Sequence, residues 1–539
     1  MKRIRAISSP TGGEMDSYLE DESHLDKGQA EAVYLPENEG DICSLLVYCH
    51  EAGKPVTISG ARTGVVGGAI PRGGVVISME KMDRILGLGR NGSRDTWFIK
   101  AEPGVRLQTL QKAVEKKEIE GIEDSSLASD FRSDSKVYMY PPDPTEGSAL
   151  LGGTVVSNSS GARSFAYGPT RNYVHRLRVV LANGELLDIT RGETIAKDSD
   201  NFEVITGDGS CLKIPVPLYH MPPIKNAAGY YARSGMDLID LFIGSEGTLG
   251  VITYLELKIV SRPEDIFGGI AFFKEEQKAI RFVQEVKKAS RKAGNQLHPS
   301  ILEYFDSHSL DLLRDKKKSD GPGSVIGDFP SYARGAILFE QFYHLEEMDN
   351  LYDSWQTILE ENKVDMDDTW AGCSDRDFEK LKCFRHALPE TLNELFRRRK
   401  MAYPQIHKIS LDFAVPEGSL EEMIRLYQTQ IGRENLQYVL FGHIGENHLH
   451  VNILPHTDVE LQKAKKISLN LAKEVISLGG TISAEHGIGK MKHRLLELLY
   501  GRKGIQEMVN LKLQLDPKGI LNRGNIFPEH YLPHLKRVS

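Results

Sequence analysis

The segment Phe441-Gly-His-Ile-Gly-Glu-Asn-His-Leu-His-Val-Asn452 gathers three imidazoles, His443, His448 and His450. Side chains alternate along a strand, so His448 and His450 share one face, with His443 just upstream. Downstream, Ser483-Ala-Glu-His-Gly487 sets the carboxylate of Glu485 beside a further imidazole, His486. Two or three histidines with a glutamate form a borderline-soft ligand set that suits Zn²⁺ or Mn²⁺ and leaves coordination positions open to substrate oxygens. Any one of these histidines alone reads more simply as a hydrogen-bonded core or surface residue. The cluster reads as a site.

Three glycine-rich blocks form the second chemical signal: Ser59 to Ala69, Pro141 to Gly161, and Asp240 to Thr253. A pyrophosphate needs backbone N–H donors at close range, and only glycine lets the chain approach without Cβ clashes or forbidden φ values. One such block is as well explained by tight turns. Three of them, interleaved with Ser, Thr and Asn, point to a large anionic cofactor. The first block joins β elements, so it is not the strand-to-helix turn of a Rossmann unit, and no Walker lysine is present to support nucleotide hydrolysis.

The elements that must hold these residues are spread over 539 residues and 60.2 kDa, more than one core usually supports, so two or three domains are expected. A net charge of -8 carries no basic excess for phosphate neutralisation, and nucleic acid is excluded as a partner. The five cysteines are scattered, odd in number and without a CxxC pair, which speaks against a disulfide framework or an iron–sulfur cluster and suits a reducing cytoplasm. The N-terminus lacks the apolar run of a signal peptide, and no stretch reaches the roughly 20 apolar residues of a membrane span. Peripheral membrane contact and a homodimer stay open. Apolar spacing predicts helices over 35–49, 107–117, 280–293, 346–362 and 420–430, strands at 55–59, 73–78 and 177–182, and a polar, mobile insertion over 124–136. The texture changes after Arg262-Pro263, and glycine-rich sequence returns from Gly479. The predicted domains are therefore 1–262, 263–478 and a returning segment, 479–539.

The order Pro55-Val-Thr-Ile-Ser-Gly-Ala-Arg-Thr-Gly-Val-Val-Gly-Gly-Ala, Ala101-Glu-Pro-Gly-Val, Pro141-Pro-Asp-Pro-Thr, Gly152-Gly-Thr-Val-Val-Ser-Asn-Ser-Ser-Gly, Phe242-Ile-Gly-Ser-Glu-Gly-Thr-Leu-Gly and Gly442-His-Ile-Gly resembles the vanillyl-alcohol oxidase / p-cresol methylhydroxylase (PCMH) flavoprotein superfamily, and within it the D-lactate, D-2-hydroxyglutarate and glycolate dehydrogenases. The resemblance covers 35–265 and 400–530. It implies an α+β fold: a two-part PCMH-type FAD-binding domain, a ferredoxin-like α+β cap domain and a C-terminal helical segment. By the same resemblance Ser59, Gly60, Ala61, Arg62, Thr63, Gly64, Gly67 and Gly68 would wrap the FAD pyrophosphate. Pro142, Asp143, Thr145, Gly152, Gly153, Ser157, Asn158 and Gly161 would line the flavin and ribityl chain. Glu246, Gly250 and Val251 would meet the adenine side, and Asn522 would close the isoalloxazine pocket. Some members attach FAD through a histidine in the first loop; none lies between Ser59 and Ala69, so FAD is expected to be non-covalent.

The resemblance also implies that His443, His450 and Glu485 hold a divalent metal, Zn or Mn, that His486 is the base, and that Asn452 orients the substrate. A 2-hydroxy acid offers a hydroxyl and a carboxylate to chelate such a cation, which lowers the hydroxyl pKa. His486 can then take that proton while the Cα hydrogen leaves as hydride to flavin. Arg385 stands where the family often has an arginine that clamps the substrate carboxylate; a solvated helix charge is the other reading. Lys408 is displaced from the family's second carboxylate contact, and Lys225-Asn-Ala-Ala-Gly-Tyr230, which resembles a segment beside the flavin, is given no catalytic role. The expected activity is FAD-dependent oxidation of a small D-2-hydroxy acid, with electrons passing to a quinone, electron-transfer flavoprotein, cytochrome or oxygen. The alternatives are a non-oxidative flavoenzyme of the ether-lipid-synthase type and a metal-dependent hydrolase.

Overall fold

The β-branched runs Val56–Ser59 and Val75–Ser78 pair in parallel, Val56 opposite Val75 and Ser59 opposite Ser78, so the first glycine block lies in the crossover between them. In the computed structural model, which describes residues 5–7, 15–91, 95–119, 125–196, 201–206 and 209–532, these strands form a four-stranded sheet with Arg5–Ile7 and Ala32–Leu35. The helix expected from Leu35 begins at Glu39, because Leu35 ends a strand and Asn38 caps the helix by accepting the Asp41 N–H at 3.1 Å. Its face of Ile42, Leu45, Leu46 and Cys49 packs on Val56, Val75 and Ile77 in one core.

Contacts divide the chain into two units: 1–161 with 168–261 and 485–539, and 162–167 with 262–484. The return to the first unit comes at Glu485 rather than Gly479. Besides the sheet above, the first unit contains a five-stranded antiparallel sheet, ordered Ile85–Asn91, Thr96–Ala101, Val251–Lys258, Val174–Val180, Leu186–Thr190. The segment expected to be a mobile insertion contains the helix Ser125–Ser133. Ala128 and Phe131 of this helix are buried, and the Phe131 ring lies 5.1 Å from Trp97 and 5.2 Å from Tyr138. Aromatic packing thus outweighs the polar composition of the stretch.

The second unit is built on a seven-stranded antiparallel sheet, ordered Trp370–Gly372, Asp265–Phe273, Gly335–Tyr343, Ile301–Phe305, Tyr438–Gly442, His448–Ile453, Ile409–Ala414. The long helix Asp375–Ala402 covers it, seating Leu381, Phe384, Leu388 and Leu392 in the core with Ile270, Phe272 and Phe305. This is the α+β class expected. Among the described residues no helix is long and apolar enough to cross a membrane.

The last segment is stitched to the first unit from within. Val56 donates its N–H to Ile520 O and accepts from Asn522 N–H, both at 2.8 Å, so the chain's end extends the first sheet. Lys512, 1% exposed, donates to Asp516 Oδ2 at 2.9 Å, Leu521 O at 2.8 Å and Thr248 O at 2.9 Å. Asp516 in turn accepts the N–H groups of Ile520 and Leu521. Lys512→Met leaves Asp516 buried without its counter-charge, and is expected to lower stability by about 3–5 kcal/mol in chemical denaturation; a loss under about 1 kcal/mol would contradict this role for the pair.

Candidate active site

Within the first unit, Gly60, Gly152, Gly153, Gly250, Val251 and Asn522 line one cleft. Ile58, Met79, Pro103, Leu150, Val156, Gly247 and Ile252 complete its wall. These residues were not predicted; Leu150, Val156, Gly247 and Ile252 lie within the glycine blocks, and that position was their signal. The glycines divide by role. A Cβ on Gly153 would meet no atom within 4 Å, so this position faces open space where a ligand can approach the backbone. A Cβ on Gly161 would fall 1.7 Å from Asp143 O, so this glycine serves chain-on-chain packing. A cleft with glycine-lined backbone and an apolar wall fits a flat, anionic cofactor such as FAD.

Other expected cofactor residues hold the loops. Arg62 has φ +62 and stacks its guanidinium 4.5 Å from the Tyr18 ring centroid. Ser59 is buried, Pro142 O accepts from Gln111 Nε2 at 3.1 Å, and Asn158 Oδ1 accepts the Arg171 N–H at 3.0 Å. Glu246, expected on the adenine side, accepts with its carboxylate the N–H groups of Ile488 at 2.7 Å and Gly489 at 2.8 Å, so it fixes the turn that follows His486. Burial raises its pKa, against the pull of those two donors. Gly489 has φ +50, and a Cβ there would sit 2.1 Å from Val66 O. Lys490 donates to Asn525 Oδ1 at 2.6 Å and Gly67 O at 3.1 Å, and Asn525 Nδ2 donates to Gly68 O at 3.0 Å. The segment after His486 therefore braces the first glycine block.

Glu485 and His486 start this segment. Lys225 Nζ lies 2.9 Å from Glu485 Oε2, with side-chain exposures of 5% and 9%. Ser160 Oγ donates to the same oxygen at 3.3 Å, and His486 Nε2 is 3.7 Å from Oε1. Lys225, given no role from sequence, is thus a buried cationic partner of the expected ligand. An ammonium at a buried carboxylate marks a place where positive charge is stabilised.

In the second unit, the His443, His448 and His450 ring centroids lie 4.6–5.3 Å apart. His448 is fully buried, its Nε2 2.9 Å from Asp412 Oδ1, and Ser483 Oγ donates to Asp412 Oδ2 at 2.8 Å. His443 Nδ1 lies 3.1 Å from Glu303 Oε1. Asn452 is buried and accepts from Ser410 Oγ at 2.5 Å. Lys408 donates to Asn393 Oδ1 at 3.1 Å, and burial lowers its pKa. Arg385 is not a solvated helix charge. Its Nε and Nη2 donate to Glu303 at 2.8 and 3.0 Å. Burial alone would raise the Glu303 pKa, but Arg385 and then His443 hold it well below the usual carboxylate range. Glu303 had no detectable sequence signal, since its partners Arg385 and His443 lie far along the chain. Imidazoles and buried carboxylates of this kind suit a borderline divalent cation.

The model for FAD linked oxidases, C-terminal domain, matches residues 262–526, and that for the FAD binding domain matches 30–127 and 132–190. Among curated proteins, the chain is 28% identical over 503 residues to the glycolate oxidase subunit GlcD of Bacillus subtilis (strain 168), covering 92% of this chain and 89% of that protein. It is 28% identical over 509 residues to a D-lactate dehydrogenase of Anaerostipes hadrus, covering 93% and 90%. It is 25% identical over 507 residues to a D-2-hydroxyglutarate dehydrogenase of Stutzerimonas stutzeri (strain A1501), covering 92% and 90%. Among solved structures, an alkyldihydroxyacetonephosphate synthase aligns with TM-score 0.61 at 17% identity over 92% of this chain and 76% of that one, a likeness of fold.

Gly153→Leu fills the open face of the cleft. It is expected to fold within about 1 kcal/mol of wild type and to weaken FAD binding at least about tenfold, or ~1.4 kcal/mol, as read by flavin fluorescence; unchanged affinity would remove the cleft as the flavin site. Burial lowers Lys490 from 10.5 to about 8. Between those two values the unfolded chain binds more protons than the folded one, so this lysine's contribution to stability rises with pH across that window. Denaturation at the two ends of that window is expected to show the wild type gaining on Lys490→Met as pH increases, and a constant gap would contradict it.

Proposed function

The chain belongs to the FAD-linked oxidases of the vanillyl-alcohol oxidase / PCMH superfamily, in the branch of FAD-dependent 2-hydroxy-acid oxidoreductases, and from this premise we propose that it oxidises a small D-2-hydroxy acid to the 2-oxo acid with the help of a divalent metal. The observation that carries the proposal is that Glu485 and His486 open the very segment that braces the first glycine block and supplies Asn522 to the cleft. His486, the proposed base, and the residues of the glycine cleft belong to one unit, which supports this reading.

His443, His450 and Glu485 are the proposed metal ligands. All three, together with His486, fall within the single family match over 262–526. Zinc or manganese held there would supply Lewis acidity to the substrate's hydroxyl and carboxylate. FAD supplies the acceptor for the C2 hydrogen and its electron pair. His486 takes the hydroxyl proton on its imidazole, and Asn452, held by Ser410, presents its amide to the substrate. Hydroxy-acid relatives at 24–28% identity over most of the chain favour this chemistry over an ether-lipid synthase, for which only a fold likeness speaks. The FAD cleft disfavours a hydrolase.

Anaerobic mixing with a panel of D- and L-2-hydroxy acids is expected to bleach the flavin with a D-acid, and chelation to abolish bleaching until Zn²⁺ or Mn²⁺ is restored. His486→Ala is expected to remain yellow and reduce its flavin about 10²–10⁴-fold more slowly. Bleaching of that variant at the wild-type rate would remove His486 as the base, and bleaching indifferent to chelation would remove the metal.

A further inference from the structure

Glu303 is an anomaly of packing. It sits in Ile301–Phe305, a strand interior to the seven-stranded sheet whose residues are all buried, and is itself 4% exposed. A lone carboxylate in such a place is strongly destabilising unless paired. Two side chains from distant parts of the second unit compensate it: Arg385, from the helix Asp375–Ala402, through a two-pronged contact at 2.8 and 3.0 Å, and His443 at 3.1 Å. Arg385 sits four residues after Leu381 and three before Leu388, both core residues, so it shares the helix's inward face.

The geometry points to Glu303 as a positioning residue for the metal: its carboxylate, anchored by the Arg385 fork and 3.1 Å from His443 Nδ1, orients that ring so that Nε2 is the atom offered to the cation. This rests on the proposed function, in which His443 is a ligand. The physical reason is general. An imidazole whose Nδ1–H donates to a carboxylate has one tautomer and one orientation, and its other nitrogen becomes a more basic ligand. The Arg385 fork matches a carboxylate in two hydrogen bonds, which a lysine cannot do.

The test uses the full-length FAD-loaded protein, with Zn²⁺ affinity measured by competition against a fluorescent chelator and Co²⁺ as a spectroscopic probe. Glu303→Gln and Arg385→Lys are each expected to weaken Zn²⁺ binding about 10–100-fold and to shift the Co²⁺ visible bands. The double variant is expected to be no worse than the weaker single, because both act through one contact. Glu303→Asp, which keeps the charge, is expected to recover part of the affinity and serves if the Gln variant does not fold. Affinities within about twofold of wild type for both single variants would overturn the assignment. An Arg385→Lys variant with a raised KM and unchanged Zn²⁺ affinity would return Arg385 to the substrate carboxylate. A wild-type protein that binds neither metal would instead overturn the proposed function.

Discussion

The structure depends on a buried pair of charges, Lys512 and Asp516, that closes the end of the chain onto its beginning. Both are essentially removed from solvent, and between them they satisfy the backbone of 520–521 and the carbonyl of Thr248. Unpaired, either charge would cost several kcal/mol; paired and fully hydrogen-bonded, they specify one position for the returning segment. Asn522 follows directly, bonding Ile58 N–H at 2.7 Å and Glu246 O at 2.7 Å. Everything the segment does for the glycine cleft follows from that registration.

The same device recurs on a smaller scale. Glu246 receives two backbone donors, Glu303 an arginine and a histidine, Asp412 a histidine and a serine, and Glu485 a lysine and a serine. In each case a buried carboxylate holds a chemically useful neighbour in one orientation. Low dielectric strengthens such contacts and makes their loss costly. Sensitivity to substitution should therefore extend well beyond the residues that touch substrate or flavin.

Much of this was legible from residue types and spacing. The glycine blocks supply residues that line one cleft, and the period-two placement of His448 and His450 marked a strand that bears imidazoles, as it does. Partners remote in the chain were not legible. Arg385 and Glu303 lie 82 positions apart, and Ile488 and Glu246 lie 242 apart, so no local pattern could pair them. Nor did composition reveal the helix Ser125–Ser133, since one buried aromatic outweighs a run of polar residues. The six residues 162–167, which belong to the second unit, carry no periodic signal that would set them apart.

The most direct measurement is an anomalous difference map, recorded at the metal edge from crystals of the FAD-loaded protein grown with Zn²⁺ and a D-2-hydroxy acid. The account requires a peak about 2.0–2.2 Å from imidazole nitrogens of His443 and His450 and from an oxygen of Glu485. A map with no peak at these residues, in crystals whose flavin the acid has nonetheless reduced, would contradict it.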